Sequence, residues 1–265
     1  MGVINVTPDS FSDGGVLFDA SKAIEAGIRM AGQGADMIDV GGESTRPGAQ
    51  TLPESEEQRR VLPVIEALAS RVTIPISIDT YKAKTADAAC AAGAAIVNDV
   101  SGLRHEPDLG GVVAARRAAI ILMHTRGRSQ NMYGQASYHD VVGEVLDELR
   151  ESIAFATGAG IAQDRVMVDP GLGFAKEAVH SYEALARLEE FAELGRPIVV
   201  GPSRKSFLSR PLGGSVPAGG REWATAAAVS AAVLAGAHIV RVHAVPEMLQ
   251  VVRVADEIRK YHRED

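Results

Sequence analysis

Eight short apolar runs, rich in β-branched residues, recur along the chain: "VINV", "DMIDV", "IPISID", "AAIVND", "AIILMH", "VMVDPG", "PIVVG" and "HIVRVH". Their nearly continuous hydrophobicity is that of strands covered on both faces, as in a parallel sheet flanked by helices. Helical patterns fill most of the gaps. In "LPESEEQRRVLPVIEALAS", Pro53 suits a first turn, and Glu54, Glu56 and Glu57 favour the positive end of the helix. Val61, Ile65 and Leu68 then share one face, while Pro63 predicts a kink. Val142, Val145, Leu146, Leu149 and Ile153 repeat at helical spacing after Tyr138, and a last helix follows Pro246 through Leu249, Val252 and Ile258. There is no linker, low-complexity tract or composition break, so the reading is one α/β domain over residues 1–265.

Eight strand–helix units in 265 residues fit a (β/α)₈ TIM barrel. An open doubly wound sheet is the alternative. The placement of polar residues favours the barrel: Asn5, Asp79, Asn98, Asp169, Ser203, Arg241 and His243 stand at or just after the C-terminal ends of apolar runs. A barrel gathers those ends around one mouth, where barrel active sites lie, whereas an open sheet spreads them along an edge.

Composition narrows the partners. A formal charge of −7 argues against nucleic acid or an anionic membrane as the main partner. The single cysteine, Cys90, excludes an internal disulfide, and its alanine-rich setting reads as a buried small hydrophobe. No apolar run is long enough to span a membrane and no secretory leader is evident, so a cytoplasmic location is expected. Met1 abuts the first strand, as it would if an upstream segment were missing.

The strand ends carry the chemistry. "SIDT" supplies Asp79, "VNDV" supplies Asn98 and Asp99, and "VDPGLGF" supplies Asp169. Each could simply cap the following helix. Converging on one cavity, they suit a flat heterocycle rich in N–H and C=O edges, because a carboxylate accepts two parallel N–H bonds. Gly171 and Gly173 permit close backbone approach, and Phe174 offers a ring face or plain packing. "GPSRK" brings Arg204 and Lys205, and "VRVH" brings Arg241 and His243. Arg241 sits between valines in a strand, a poor setting for a solvated surface charge. With His243 and the helix start near Pro246 it forms a candidate anion site, although His243 could equally be a core histidine. His124 is read as structural. Two long loops remain, "NVTPDSFSDGG" with Phe11 and "VGGESTRPG" with Thr45 and Arg46, both suited to substrate clamping.

Taken in order, "MGVINVTPDSFSDGG", "IDVGGESTRPGA", "SIDT", "IVNDVSG", "VDPGLGFAK", "GPSRKSFL" and "RVHAV" resemble the motifs of the dihydropteroate synthases, the pterin-binding folate-pathway family that sulfonamides inhibit. The resemblance implies a barrel enzyme joining p-aminobenzoate to 6-hydroxymethyl-7,8-dihydropterin diphosphate, with Mg²⁺ as cofactor and a homodimeric state. By position, Asp79, Asn98, Asp169 and Lys205 resemble the residues that hold the pterin, and Met123, Phe174 and Gly201 its walls. Asn5 resembles the magnesium ligand, Arg241 and His243 the diphosphate anchors, and Phe11, Thr45, Arg46, Pro47 and Ser203 the p-aminobenzoate end. Asp79, Asp169, Lys205 and Arg241 are the implied catalytic set. Ala244 departs from the aspartate common after "RVH", and Pro202 from the usual residue in "GPSRK". A pterin-dependent methyltransferase, which needs neither Arg241, His243 nor Lys205, and a non-catalytic pterin-binding protein are the rivals.

Overall fold

The computed structural model describes residues 1–6, 20–46, 48–214 and 216–261. Among the described residues, eight parallel strands alternate with eight α-helices. The strands are β1 (Gly2–Asn5), β2 (Ile38–Gly41), β3 (Ile76–Asp79), β4 (Ile96–Asp99), β5 (Ala119–Met123), β6 (Val166–Asp169), β7 (Val199–Val200) and β8 (Ile239–Val240). The helices are α1 (Ala20–Gly32), α2 (Glu54–Ala69), α3 (Ala83–Ala91), α4 (Asp108–Arg116), α5 (Val141–Gly158), α6 (Ala178–Ala186), α7 (Glu222–Leu234) and α8 (Val245–Arg259).

Strands β1 to β6 pair consecutively, and β7 pairs with β8. Two single bridges, Val168 with Ile198 and Gly2 with Val242, join these ladders into a ring. Val168 N–H donates to Pro197 O at 3.0 Å on one seam, and Val3 N–H to Val242 O at 3.0 Å on the other. The ring is the expected barrel, and closure removes the open-sheet alternative. β7 is short for a covalent reason: Pro197 and Pro202 bracket it and neither has an N–H to give the ladder.

The core lies in two places. Between strands and helices, Val40, Val61, Ile65, Leu68, Ile78 and Ile120 belong to one buried cluster. Val61, Ile65 and Leu68 are the face anticipated for α2, which continues through Pro63 without a break. Inside the barrel, Met1, Ile96, Ile121 and Val199 form an apolar plug from strands that are not all neighbours. The strand ends above it are polar. Cys90 is half-buried rather than buried, packed at the margin of the main core. Burial pushes its thiol pKa up, so it is a poor nucleophile.

Candidate active site

The parallel register sets four polar-end positions side by side. Asn5 pairs with Gly41, Gly41 with Asp79 and Asp79 with Asn98, one row across β1 to β4. Met123 and Asp169 pair likewise on β5 and β6. All lie at the C-terminal ends of the strands, around one mouth.

Arg241, just after β8, binds across the lumen. Its Nε donates to Asp39 Oδ2 at 2.7 Å and its Nη2 to Asp79 Oδ2 at 2.8 Å. Asn98 Nδ2 donates to the same Asp39 oxygen at 3.1 Å. Neither β4 nor β8 is adjacent to β2, so these bonds cross the barrel interior. Asp39 Oδ1 is buried and has no hydrogen-bond partner. Burial pushes the Asp79 carboxyl up to about 7, against the lowering pull of Arg241. Burial also works against the Arg241 charge, but Asp39 and Asp79 outweigh it and keep the guanidinium protonated.

The β6–α6 turn builds the opposite wall. Asp169 Oδ1 accepts the Gly171 N–H at 2.7 Å. Gly171 has φ +70°, and a Cβ there would run into the His124 carbonyl oxygen, so glycine is required. The turn leads to Phe174, whose ring lies 3.8 Å from Lys205 Nζ. That stacking partly replaces water around the ammonium. Burial, and then Arg241, push Lys205 down to about 8. Asp169 is raised by burial, with Gly171 and Lys205 opposing. Gly201 faces the Arg241 stem, and Met123 packs with Tyr81, Val100 and Phe174.

Ser203 and His243 form a separate pair. Ser203 Oγ lies 2.9 Å from His243 Nδ1 and accepts the His243 backbone N–H at 3.2 Å. Burial, with Arg204 and Arg241 nearby, pushes His243 down to about 3, so the imidazole is neutral. Ala244, the residue before α8, offers no side-chain cap. Thr45 and the exposed Arg46 stand on the β2–α2 loop, where the Thr45 carbonyl accepts from Ser129 Oγ at 3.4 Å and Arg46 N–H donates to Ser44 Oγ at 3.4 Å. Asn5 is half-buried at the end of β1. Phe11 and Pro47 lie outside the described residues.

A family model described as pterin binding enzyme matches residues 1–243. The chain is 45% identical over 258 residues to a dihydropteroate synthase of Synechocystis, covering 97% of this chain and 89% of that one. The chain belongs to the dihydropteroate synthase branch of the pterin binding enzymes. Among solved structures, Clostridium difficile dihydropteroate synthase with pteroic acid superposes with TM-score 0.90 at 41% identity, covering 99% and 96% of the two chains. Yersinia pestis dihydropteroate synthase with a sulfonamide complex gives TM-score 0.92 at 39% identity over 98% and 93%.

Against that family background, the sequence reading passed over Asp39. Inside "DMIDV" it looks like one polar residue in a strand, yet it is wholly buried and holds Arg241 and Asn98 together. The available signal was a carboxylate within an otherwise apolar run. Lys176, at the end of "VDPGLGFAK", was also unassigned. Its Nζ lies 2.7 Å from His124 Nδ1 and donates to Phe174 O at 3.2 Å. His124 Nε2 in turn faces Glu148 at 3.1 Å. Nε2 therefore carries the proton and Nδ1 accepts from Lys176. His124 is structural, as anticipated, and it fastens the turn that bears Phe174.

Proposed function

We propose that the chain condenses p-aminobenzoate with 6-hydroxymethyl-7,8-dihydropterin diphosphate, giving 7,8-dihydropteroate and pyrophosphate in folate biosynthesis. The observation that carries the reading is the polar lumen: Asp39, Asp79 and Asp169 face Arg241 and Lys205 above an apolar plug, and Asp39 keeps one buried oxygen unpaired. Such a site suits a planar guest with several N–H donors, which a pterin is.

In this assignment Asp79, Asn98, Asp169 and Lys205 hold the pterin, with Met123, Phe174 and Gly201 as walls. Arg241, fixed by Asp39 and Asp79, is assigned with Asn5 and His243 to the diphosphate. The reaction breaks the bond between the pterin methylene and a diphosphate oxygen, and the electron pair leaves with pyrophosphate. Positive charge grows on the methylene and spreads into the dihydropterin ring. The carboxylates of Asp169 and Asp79, fixed before the reaction begins, stabilise it. The lone pair of the p-aminobenzoate amine then forms the new C–N bond, and the amine proton passes to solvent or pyrophosphate. No strong base is needed, since an aniline is unprotonated at neutral pH. Thr45 and Arg46, with Phe11, Pro47 and Ser203, form the p-aminobenzoate end.

Mg²⁺ fits Asn5. The described residues contain no cluster of three or more His, Cys, Asp or Glu that could hold a metal. A single amide oxygen at a strand end matches an ion held chiefly by diphosphate and water. When bound, it neutralises leaving-group charge.

The same assignment makes sulfonamides competitors of p-aminobenzoate. It also makes the enzyme a homodimer, through a face where Val254, Ile258 and Tyr261 are 61%, 48% and 79% exposed at helical spacing. Light scattering tests the dimer. Among the described residues no helix is long and apolar enough to cross a membrane; the cytoplasmic location is tested by fractionation. The deciding assay is pyrophosphate release. Release only when both substrates are present supports the synthase, transfer of a methyl group from a pterin supports a methyltransferase, and binding without turnover supports a non-catalytic pterin protein.

A further inference from the structure

Lys82, the residue just before α3 in the β3–α3 turn, is buried, with side-chain exposure of only 8%. Its Nζ donates to Glu43 Oε2 at 2.5 Å, to Leu52 O at 2.7 Å and to Glu57 Oε2 at 2.8 Å. Those three bonds use every proton of the ammonium. Two of the three acceptors flank one segment of the β2–α2 loop, residues 44–51, and the third belongs to α2.

Glu43 completes the tie from its side. Its Oε2 also accepts the Leu52 N–H at 2.9 Å, and its Oε1 accepts the Tyr81 hydroxyl at 2.9 Å. Leu52 is therefore held at both its N–H and its C=O, and the two ends of the segment meet on a single buried cation. Farther out, Gly48 N–H donates to Ser129 O at 2.9 Å and Ser129 Oγ to Thr45 O at 3.4 Å. The segment between these ties carries Thr45 and Arg46.

We propose that Lys82, acting through Glu43 and the Leu52 carbonyl, is a positioning residue that sets where Thr45 and Arg46 stand for the incoming amine. The inference rests on the reading of Thr45 and Arg46 as part of the p-aminobenzoate pocket. A bond network of this kind removes conformational freedom from the loop before substrate arrives, so the amine does not bear that ordering cost on binding. The bonds of Lys82 and Glu43 run to the loop, to α2 and to Tyr81, not to Asp79, Asn98, Asp169 or Lys205, although Tyr81 also packs with Met123 and Phe174.

The test compares Glu43→Ala with Glu57→Gln. Each removes one carboxylate from Lys82, but only Glu43 holds the loop. Glu43→Ala is expected to raise KM for p-aminobenzoate about 10- to 100-fold, with KM for pterin diphosphate nearly unchanged. Hydrogen exchange of amides 44–46 and 48–51 is expected to accelerate in the same variant, and Glu57→Gln to do neither. Lys82→Met, which leaves two buried carboxylates together, serves only if it folds; Glu43→Ala carries the test otherwise. Equal shifts in KM from Glu43→Ala and Glu57→Gln would overturn the proposal, as would a Glu43→Ala enzyme with unaltered KM. Arg46→Ala distinguishes the underlying reading. If it leaves the p-aminobenzoate KM unchanged, the pocket assignment fails and the inference falls with it. If it raises that KM while Glu43→Ala does not, the clamp alone is wrong.

Discussion

Arg241 and Asp39 meet at 2.7 Å across the barrel lumen although 202 residues separate them in the chain. The guanidinium is held in place by a strand two positions round the ring, so the arginine is oriented before any ligand binds. Asp39→Ala should destabilise the fold by about 3–5 kcal/mol, because it strips a mostly buried cation of one partner. It should also impair turnover. Urea denaturation measures the first effect and pyrophosphate release the second.

Asp169→Asn preserves the shape and the acceptor for Gly171 while removing the negative charge. Its kcat should fall on the order of 100-fold or more, with a far smaller change in pterin diphosphate affinity. Arg241→Ala should impair both. An Asp169→Asn enzyme with wild-type kcat would remove the charge-stabilisation role.

Where function was legible in the sequence, it was legible because strands end where chemistry begins. Asp79, Asn98, Asp169 and Arg241 each interrupt an apolar run at its C-terminal end, and the barrel brings those ends together. Asp39 was harder to see. It sits one pleat below the rim, and its partners on β4 and β8 are set by closure of the ring, which local patterns do not encode. Lys82 and Glu43 escaped for the same reason, since a lysine after a strand reads as a surface charge until three acceptors are found around it. The pairing of Ser203 with His243 is of the same kind, since their motifs lie 40 residues apart and meet only in the folded ring. Cys90 was placed too deep because alanine-rich surroundings occur at a core margin as well as within one.

The His124 imidazole is neutral because burial, and then Lys176, push its pKa from 6.5 down to about 3. The unfolded chain thus binds a proton that the folded chain refuses between those values. This contribution is complete above pH 6.5 and is lost as pH falls toward 3. Glu148 acts in the same direction below its ordinary 4.5: despite burial, hydrogen bonds from His124 and Arg126 hold it low. The share of stability carried by His124 and Glu148 should therefore fall by roughly a few kcal/mol from pH 6.5 to 3, while the raised Asp79 and Asp169 carboxyls act in the opposite direction. His124→Gln, able to bond both Lys176 and Glu148, should remove the His124 share, read as the difference between variant and wild type at each pH.

Gly171→Ala offers a test of the turn. The added methyl would meet the His124 carbonyl in a backbone conformation that L-residues rarely adopt. A loss of more than about 3 kcal/mol is expected, read as a drop in melting temperature together with weaker pterin binding.

The role proposed for Asn5 predicts magnesium dependence. Activity should vanish in excess EDTA and return with added Mg²⁺, and Asn5→Ala should raise the Mg²⁺ concentration needed for half-maximal rate. Undiminished turnover in EDTA would withdraw the role given to Asn5.

The lumen sets three carboxyl groups against two cations, and burial raises the pKa of two of them, Asp79 to about 7 and Asp169 in the same direction. Burial therefore favours a protonated Asp79 below about pH 7. A guest that brings positive charge expels that proton, whereas a neutral guest has no need to. Affinity for cationic pterin mimics should climb with pH through about 7, and their binding enthalpy should depend on the ionisation heat of the buffer. Acidity in the surrounding medium would then act on this enzyme as a competitor for its own reaction intermediate.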